Sequence, residues 1–171
     1  FLSACADAPN PLQPDVLGSD LAILDGAHGG NQAFFFLPPL LPEPTTSGVF
    51  DPAAEPEGEI CSVVDEACDE SVALFTGASG QGSETVRVDL DAEHYIVNWH
   101  TDGFDLNAST TYRLVVRLGD VELGYADVDL VNNGKELKNV DTNEFIPLKD
   151  GRTLPIKFRI EEGALPGGFR W

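Results

Sequence analysis

The segment YRLVVRLGDVELGYADVDL, residues 112–130, decides the fold class of this chain. In its first seven residues, every second side chain from Tyr112 to Leu118 is apolar, and both arginines lie on the opposite face. This is the period of two that half-buried strands show. Gly119 and Asp120 then supply a two-residue turn into a second strand. The apolar phase of that strand changes after Gly124, which predicts a β-bulge at this glycine. The segment therefore predicts an antiparallel hairpin.

Similar strands lie on both sides of this hairpin. Residues 85–90 (TVRVDL) and 94–100 (HYIVNWH) alternate in the same way. Residues 145–148 and 154–160 flank a further turn, and each carries one proline, which is typical of strand edges, strand starts or bulges. Because no stretch of ten residues shows a helical stripe, the sequence predicts an all-β fold.

Two features narrow the prediction to an antiparallel β-sandwich of immunoglobulin or fibronectin type III character. Trp99 shares one face of its strand with Tyr95 and Val97, as a core tryptophan does. Residues 106–112 (LNASTTY) resemble the tyrosine corner of such folds. There the hydroxyl, here that of Tyr112, bonds to backbone a few residues upstream.

Charge and proline content divide the chain. It has 29 acidic and ten basic side chains, and its first 86 residues hold 14 of the acidic ones and none of the basic ones. Nine of the twelve prolines lie between residues 9 and 56. We therefore predict a long extended, acidic, proline-containing N-terminal arm (1–32), an apolar strand with a proline-rich linker (33–58) and a β-sandwich domain (59–171).

The same charge restricts the partners. Nucleic acids and anionic membranes require a basic face, so neither is expected to bind. No apolar run reaches the roughly 18 residues that a spanning helix needs, so no transmembrane segment is predicted.

The cysteines indicate an oxidising compartment. Cys61 and Cys68 could close a small disulfide-bonded loop or hairpin, and the alternative is two separate buried thiols. Residues 2–5 (LSAC) resemble a bacterial lipobox, which makes Cys5 a candidate for lipidation, with an intermolecular bridge or burial as alternatives. The chain also lacks methionine, as expected of a processed product. We therefore expect a secreted protein.

The histidines are the strongest catalytic candidates. His94 and His100 share a face of one strand, with Asp102 close behind, but an extended strand would separate the two rings by about 20 Å. That distance is too long for one metal ion. Because no nucleophile motif accompanies them, we expect structural or surface histidines and no enzyme activity, and a hydrolase at this place is a distant alternative.

Calcium is a better-founded ligand than zinc. Asp89, Asp91 and Glu93 alternate near a strand end and offer the oxygen ligands that Ca²⁺ prefers. A second acidic group surrounds the cysteines, at Asp65, Glu66, Asp69 and Glu70. The alternative is a solvated acidic surface, so the cofactor prediction is none or Ca²⁺.

Two apolar segments lie in the N-terminal region. Residues Phe34, Phe35, Phe36 and Leu37 form the stronger one, and Leu21, Ile23 and Leu24 belong to the other. Exposed, such segments would aggregate, so we expect them to be buried. Either they form the first strands of the chain's own sandwich, or they add as strands to a neighbouring copy.

Several longer motifs support a resemblance. They are HGGN (28–31), FFFLPP (34–39), YIVNWHTD (95–102), LKNV (137–140) and DGRTLPIKFRI (150–160). Together they resemble an uncharacterised family of secreted or surface-associated bacterial proteins over roughly residues 26 to 161. The resemblance implies an extracellular location and a β-rich module, with no catalytic residues to transfer.

These observations predict a structural subunit of an extracellular bacterial surface filament, a homopolymer formed by β-strand addition of the N-terminal arm to a neighbouring subunit. The alternative is a monomeric or lipid-anchored module for surface adhesion or carbohydrate binding. The acidic first half needs a basic complement, in the same copy or the next. We predict that complement on the outer faces of the strands, at Arg113, Arg117, Lys157 and Arg159.

Overall fold

The computed structural model describes residues 22–167. Within that range the chain forms ten strands and one short α-helix, besides two 3₁₀ turns at Gln81–Ser83 and Thr101–Gly103. They are β1 (Ile23–Leu24), β2 (Phe34–Phe36), β3 (Glu57–Val64), β4 (Ala67–Phe75), β5 (Arg87–Asp89), β6 (His94–His100), β7 (Thr111–Leu118), β8 (Val121–Val131), α1 (Gly134–Leu137), β9 (Ile146–Lys149) and β10 (Thr153–Ile160). The all-β prediction is confirmed.

The strands form two sheets. Sheet A has the order β1-β8-β7-β3-β4, and sheet B has the order β2-β10-β6-β5. The pairs are antiparallel except β8 with β9, which runs parallel. The long strand β8 carries both β1 and β9 on the side away from β7, with Ala126 paired to Ile23 and Val128 paired to Ile146. One edge of sheet A is thus β4, and the other is shared by β1 and β9.

The core lies between the sheets, and its aromatic side chains come from both. Trp99 is fully buried, with Tyr112 edge-on at 5.9 Å and Phe104 at 6.4 Å between ring centroids. The Tyr112 hydroxyl accepts a hydrogen bond from the Asn107 N–H at 2.9 Å, the upstream backbone contact that the sequence predicted. Trp99 therefore anchors the core, as its strand pattern indicated.

The β7–β8 hairpin contains the expected bulge. Val116 pairs with Gly124 and Arg117 with Glu122, so Leu123 is the extra residue, one position before the predicted site. A Cβ at Gly124 would collide with the Leu24 carbonyl oxygen and the Phe34 ring. Glycine here lets β1 and β2 approach β8.

The two strand prolines lie at edges. Leu37 N–H donates to the Lys157 carbonyl and Glu161 N–H to the Ala33 carbonyl, so odd-numbered residues of β10 direct their backbone toward β2. The nitrogen of Pro155 also faces the β2 side, but at a position beyond the end of β2. Because proline has no N–H, no donor is left without a partner there. In β9 the Asp150 N–H bonds β8, so Pro147 directs its nitrogen to the free side.

The region predicted as arm and linker is built into this fold from residue 22 onward. β1 pairs with β8 and β2 with β10, in the same chain. Of the two alternatives for Phe34 to Leu37, the structure has the intramolecular one, with all four side chains buried. Residues 1–21 of the predicted arm, with Leu21 and Cys5, lie outside the described range.

Candidate functional site

The sheet edges are where a strand-adding protein must offer or protect its backbone, and β2 has a closed edge. Phe34 and Phe36 direct their backbone groups away from β10. The Phe34 carbonyl accepts from the Gly26 N–H at 2.7 Å, and the Phe34 N–H donates to the Asn31 carbonyl at 3.0 Å. The Phe36 N–H donates to the Asp25 carboxylate at 3.0 Å. These bonds occupy three of the four outward backbone groups that an added strand would need.

Asp25 organises the loop that closes this edge. Its carboxylate is buried, with 1% exposure. Oδ2 accepts from Phe36, while Oδ1 accepts from the backbone N–H groups of Ala27 and His28 at 3.0 and 3.1 Å. The half-exposed His28 ring places Nδ1 2.6 Å from the same oxygen. A buried charge is tolerated when hydrogen bonds surround it, as they do here.

The HGGN motif is part of the same loop. Asn31 Nδ2 donates to the Ala164 carbonyl at 2.8 Å, and its Oδ1 accepts from the Ala33 N–H at 3.0 Å. The motif thus ties the loop to the C-terminal end of the described chain. Sequence reasoning missed Asp25. An aspartate followed by glycine, directly after an apolar run, is the turn signal that could have found it.

The edge of β4 is different. Residues 67–71 are exposed, and within the described residues the backbone hydrogen bonds of β4 go to β3. Asp65 and Glu66 form the two-residue turn between these strands, both with positive φ (48° and 65°), as type I′ hairpins require. Beyond the turn, β4 therefore offers a run of backbone groups to solvent.

A disulfide braces this hairpin. Cys61 and Cys68 are bonded, with their Cα atoms 5.5 Å apart, which confirms the predicted bridge. Arg113 Nη1 donates to the Glu66 carbonyl at 3.0 Å and holds the turn from the neighbouring strand β7. The exposed side chains around the turn are Asp65, Glu66, Asp69 and Glu70, which we call the acidic hairpin. None of the four forms an ion pair within residues 22–167.

Three of the four predicted basic partners are neutralised inside their own copy. Arg113 makes a two-pronged bond to buried Asp127, with Nε–Oδ1 2.7 Å and Nη2–Oδ2 2.9 Å, and lies 4.0 Å above the Tyr125 ring. The hydrogen bond to Asp127 is the main reason that the pKa of Arg113 is raised. Arg117 pairs with Glu59.

Arg159 is the third. It lies 2.9 Å from Glu93 and 3.0 Å from Glu161. Burial lowers the pKa of its guanidinium, but the bonds to these two carboxylates outweigh burial and raise it. Of the predicted complement, only Lys157 forms no ion pair within the described range.

Other basic side chains gather at the opposite edge of sheet A. Lys135 and Lys138 belong to the α1 region, Lys149 is the last residue of β9, and Arg152 lies in the turn that follows. The Asp150 N–H donates to the Val131 carbonyl at 2.9 Å, which holds that turn near the start of α1. We call these four residues the basic corner. The described residues contain no ion pair with any of them.

The predicted calcium ligands are not gathered around a common point. Asp89 Oδ1 accepts from the Ala92 N–H at 3.0 Å, and Glu93 is bonded to Arg159. Residues 22–167 include no cluster of three or more His, Cys, Asp or Glu side chains placed to hold an ion. Ca²⁺ binding stays a prediction.

His94 and His100 occupy the two ends of β6. His100 Nδ1 lies 2.7 Å from Thr153 Oγ1, and its Nε2 lies 3.0 Å from Glu84 Oε1. Asp102 is exposed and makes no bond to either ring. The structure thus joins His100 to a hydroxyl and a carboxylate that the sequence did not connect with it. Both ring nitrogens are occupied, which ties the ends of three chain segments together.

Comparison of the chain with protein-family models, with curated proteins and with solved structures gave no match. Between residues 22 and 167, no helix has the length and apolar character that crossing a membrane requires.

Proposed function

We propose that this chain is a structural subunit of an extracellular bacterial surface filament, in which residues preceding Ala22 of one copy add as a strand to β4 of the next. The difference between the sheet edges carries this proposal. The edge of β2 is closed by Asp25 and Gly26, whereas β4 offers its outer backbone groups to solvent. An unpaired edge is a template for an incoming strand.

The start of the described chain supports a contact between copies. Asp127 N–H donates to the Ala22 carbonyl at 2.7 Å, so the chain enters the fold on the β8 side of sheet A. The proposed acceptor, β4, is the opposite edge of the same sheet. Donor and acceptor on opposite edges make a head-to-tail contact, and such a contact gives an open filament unless rotation closes a ring.

The disulfide supports an extracellular location, because such bonds persist in oxidising compartments. We further assign the sandwich an immunoglobulin or fibronectin type III character. The buried Trp99 and the bond from Asn107 to the Tyr112 hydroxyl favour it.

Electron microscopy and light scattering of the purified, oxidised chain test the proposal. We expect polymers for the full chain and monomers when residues 1–21 are replaced by a flexible Gly/Ser segment of equal length. Addition of a synthetic peptide of residues 1–21 should block growth of the full chain by occupying β4. A uniform monomer of the full chain would overturn the filament proposal and favour the adhesion or carbohydrate-binding module. Polymers that survive the replacement would remove the role of the arm.

A further inference from the structure

The two edges of sheet A carry opposite charge. The hairpin formed by β3 and β4, residues 57–75, has six acidic side chains and no basic one. Residues 132–152, at the other edge, hold four of the nine basic side chains in the described range. The same segment has four acidic side chains, so its basic and acidic side chains are equal in number. Residues 22–167 as a whole have 26 acidic side chains and nine basic ones. The basic corner therefore stands out in an acidic molecule.

The carboxylates of this segment are engaged locally. Three of them accept backbone hydrogen bonds: Glu136 from Asn132 at 3.1 Å, Asp141 from Asn143 at 3.0 Å and Asp150 from Gly151 at 2.8 Å. Glu144, the fourth, is exposed. Within the described range the basic side chains form no ion pair with these carboxylates, and Lys135, Lys138 and Arg152 are exposed. The corner thus presents cations outward.

Strand register places the acidic hairpin and the basic corner at the same end of the sheet. One row of paired residues crosses four strands, at Ser62, Tyr112, Val128 and Ile146. The two outer strands of this row, β3 and β9, run in the same direction beyond it. The hairpin turn begins three residues further, at Asp65, and Lys149 also lies three residues further along β9. The two charged groups are therefore level with each other.

Within one copy the two groups are too far apart to neutralise each other. Four strand spacings separate β4 from β9, or about 19 Å at roughly 4.8 Å per spacing. That exceeds the screening length of about 8 to 10 Å near physiological salt. A second copy placed beside the first in the plane of sheet A removes the gap, because its basic corner then faces the acidic hairpin of the first.

We propose that the acidic hairpin of one copy binds the basic corner of a second copy. This inference rests on the proposed filament and names its lateral contact. Ala22, where the described chain begins, is bonded to β8 on the same edge as β9. The same side-by-side placement therefore presents the arm to β4. The corner supplies the positive charge that offsets an acidic arm lying on an acidic edge.

Charge reversal tests the contact. The hairpin variant carries Asp69→Lys and Glu70→Lys, and the corner variant carries Lys135→Glu and Lys149→Glu. In each variant alone the changed group has no net charge, because the two lysines offset Asp65 and Glu66, or the two glutamates offset Lys138 and Arg152. Its self-association should therefore be at least about tenfold weaker than that of the native chain. A 1:1 mixture should associate again, because the unchanged basic corner of the hairpin variant can bind the unchanged acidic hairpin of the corner variant. Asp91→Lys with Asp120→Lys is the control for the hairpin variant, because it makes the same change of net charge at exposed positions outside both groups.

Sedimentation velocity at low and high NaCl gives the readout. Native association should weaken between roughly 0.05 and 0.5 M NaCl, since exposed charge pairs are screened. If the native chain polymerises and both reversals leave polymers unchanged, the lateral contact is wrong and the filament proposal stands. If the native chain forms oligomers that both variants lose but that survive replacement of residues 1–21, the filament by strand addition fails and the charge contact holds. A mixture as monomeric as its parts overturns the contact.

Discussion

The Asp25 carboxylate accepts the Phe36 backbone N–H that would otherwise bond a neighbouring strand. Its Oδ2 accepts the Phe36 N–H at 3.0 Å at the outer edge of β2, where a further strand would otherwise bind. The other oxygen is held by the backbone of Ala27 and His28. This carboxylate closes the edge at Phe36, and the backbone bonds of Gly26 and Asn31 close it at Phe34.

Asp25→Asn should destabilise the fold. The asparagine amide has the shape of the carboxylate but only one accepting oxygen, whereas both oxygens of Asp25 accept backbone N–H groups. At least one of these N–H groups therefore loses its partner. We expect the free energy of unfolding to fall by about 1–3 kcal/mol. Urea denaturation measures the loss, and hydrogen exchange at the Phe36 amide should accelerate.

Asp120→Asn is the matched control for this variant. Asp120 is exposed in the β7–β8 turn, so the same chemical change there should alter stability by no more than about 0.5 kcal/mol. Equal stabilities for the Asp25 variant and the native chain would show that β2 is not closed by this carboxylate.

The Cys61–Cys68 disulfide should stabilise the hairpin more than the core. The chain-entropy estimate for so short a loop is about 2–3 kcal/mol, and the bond joins buried Cys61 of β3 to exposed Cys68 of β4. In Cys61→Ser with Cys68→Ser, amide exchange should rise across residues 65–70 and stay slow in β6. Cys5→Ser serves as the control for loss of a cysteine elsewhere. Exchange that rises in β6 as strongly as in the hairpin would contradict this assignment.

Local patterns predicted much of the fold. The period of two identified β6, β7, β8 and β10, since alternate residues there face the core and solvent. The phase change near Gly124 predicted a bulge that the structure has at Leu123. The disulfide also followed from local spacing, because its two cysteines lie in adjacent strands of one hairpin.

Contacts between distant segments were beyond the reach of these patterns. His100 meets Glu84 and Thr153 only because β6 lies between segments that are 16 and 53 residues away in sequence. Likewise, Arg117 and Arg159 looked free in their strands, but the sheet brings Glu59 and Glu93 against them. Strand order sets such pairs, and alternation within a strand carries no information about its neighbours.

Tyr95 should make the fold sensitive to alkali. Its hydroxyl lies 2.7 Å from the Asp51 carbonyl and 3.0 Å from the Ala54 carbonyl. Burial is the main reason that the pKa of Tyr95 is raised from 10.0 to about 12. The unfolded chain ionises this phenol at lower pH than the folded chain does. The stabilisation is therefore complete below about pH 10 and declines as the pH rises toward about 12.

Tyr95→Phe should lose about 1 kcal/mol at neutral pH, the usual net contribution of one hydrogen bond. The variant should also lack this part of the alkaline decline. Guanidinium denaturation between about pH 8 and 11 compares the two proteins. The other tyrosines titrate in both, so the difference between the curves isolates Tyr95. Parallel curves would show that its ionisation is not coupled to folding.

Arg113 should be the most costly of the outer-face arginines to replace. Arg113→Met leaves the buried Asp127 carboxylate without its partner, and breaking such a pair costs about 3–5 kcal/mol. Adding Asp127→Leu should recover most of that loss, since two packed apolar side chains can replace a buried ion pair. The double variant still lacks the bond from Arg113 to the Glu66 carbonyl. We therefore expect the double variant to recover most of the free energy of unfolding, while its amide exchange at the hairpin turn remains faster than in the native chain. A turn as protected as in the native chain would show that Arg113 does not hold the acidic hairpin in place.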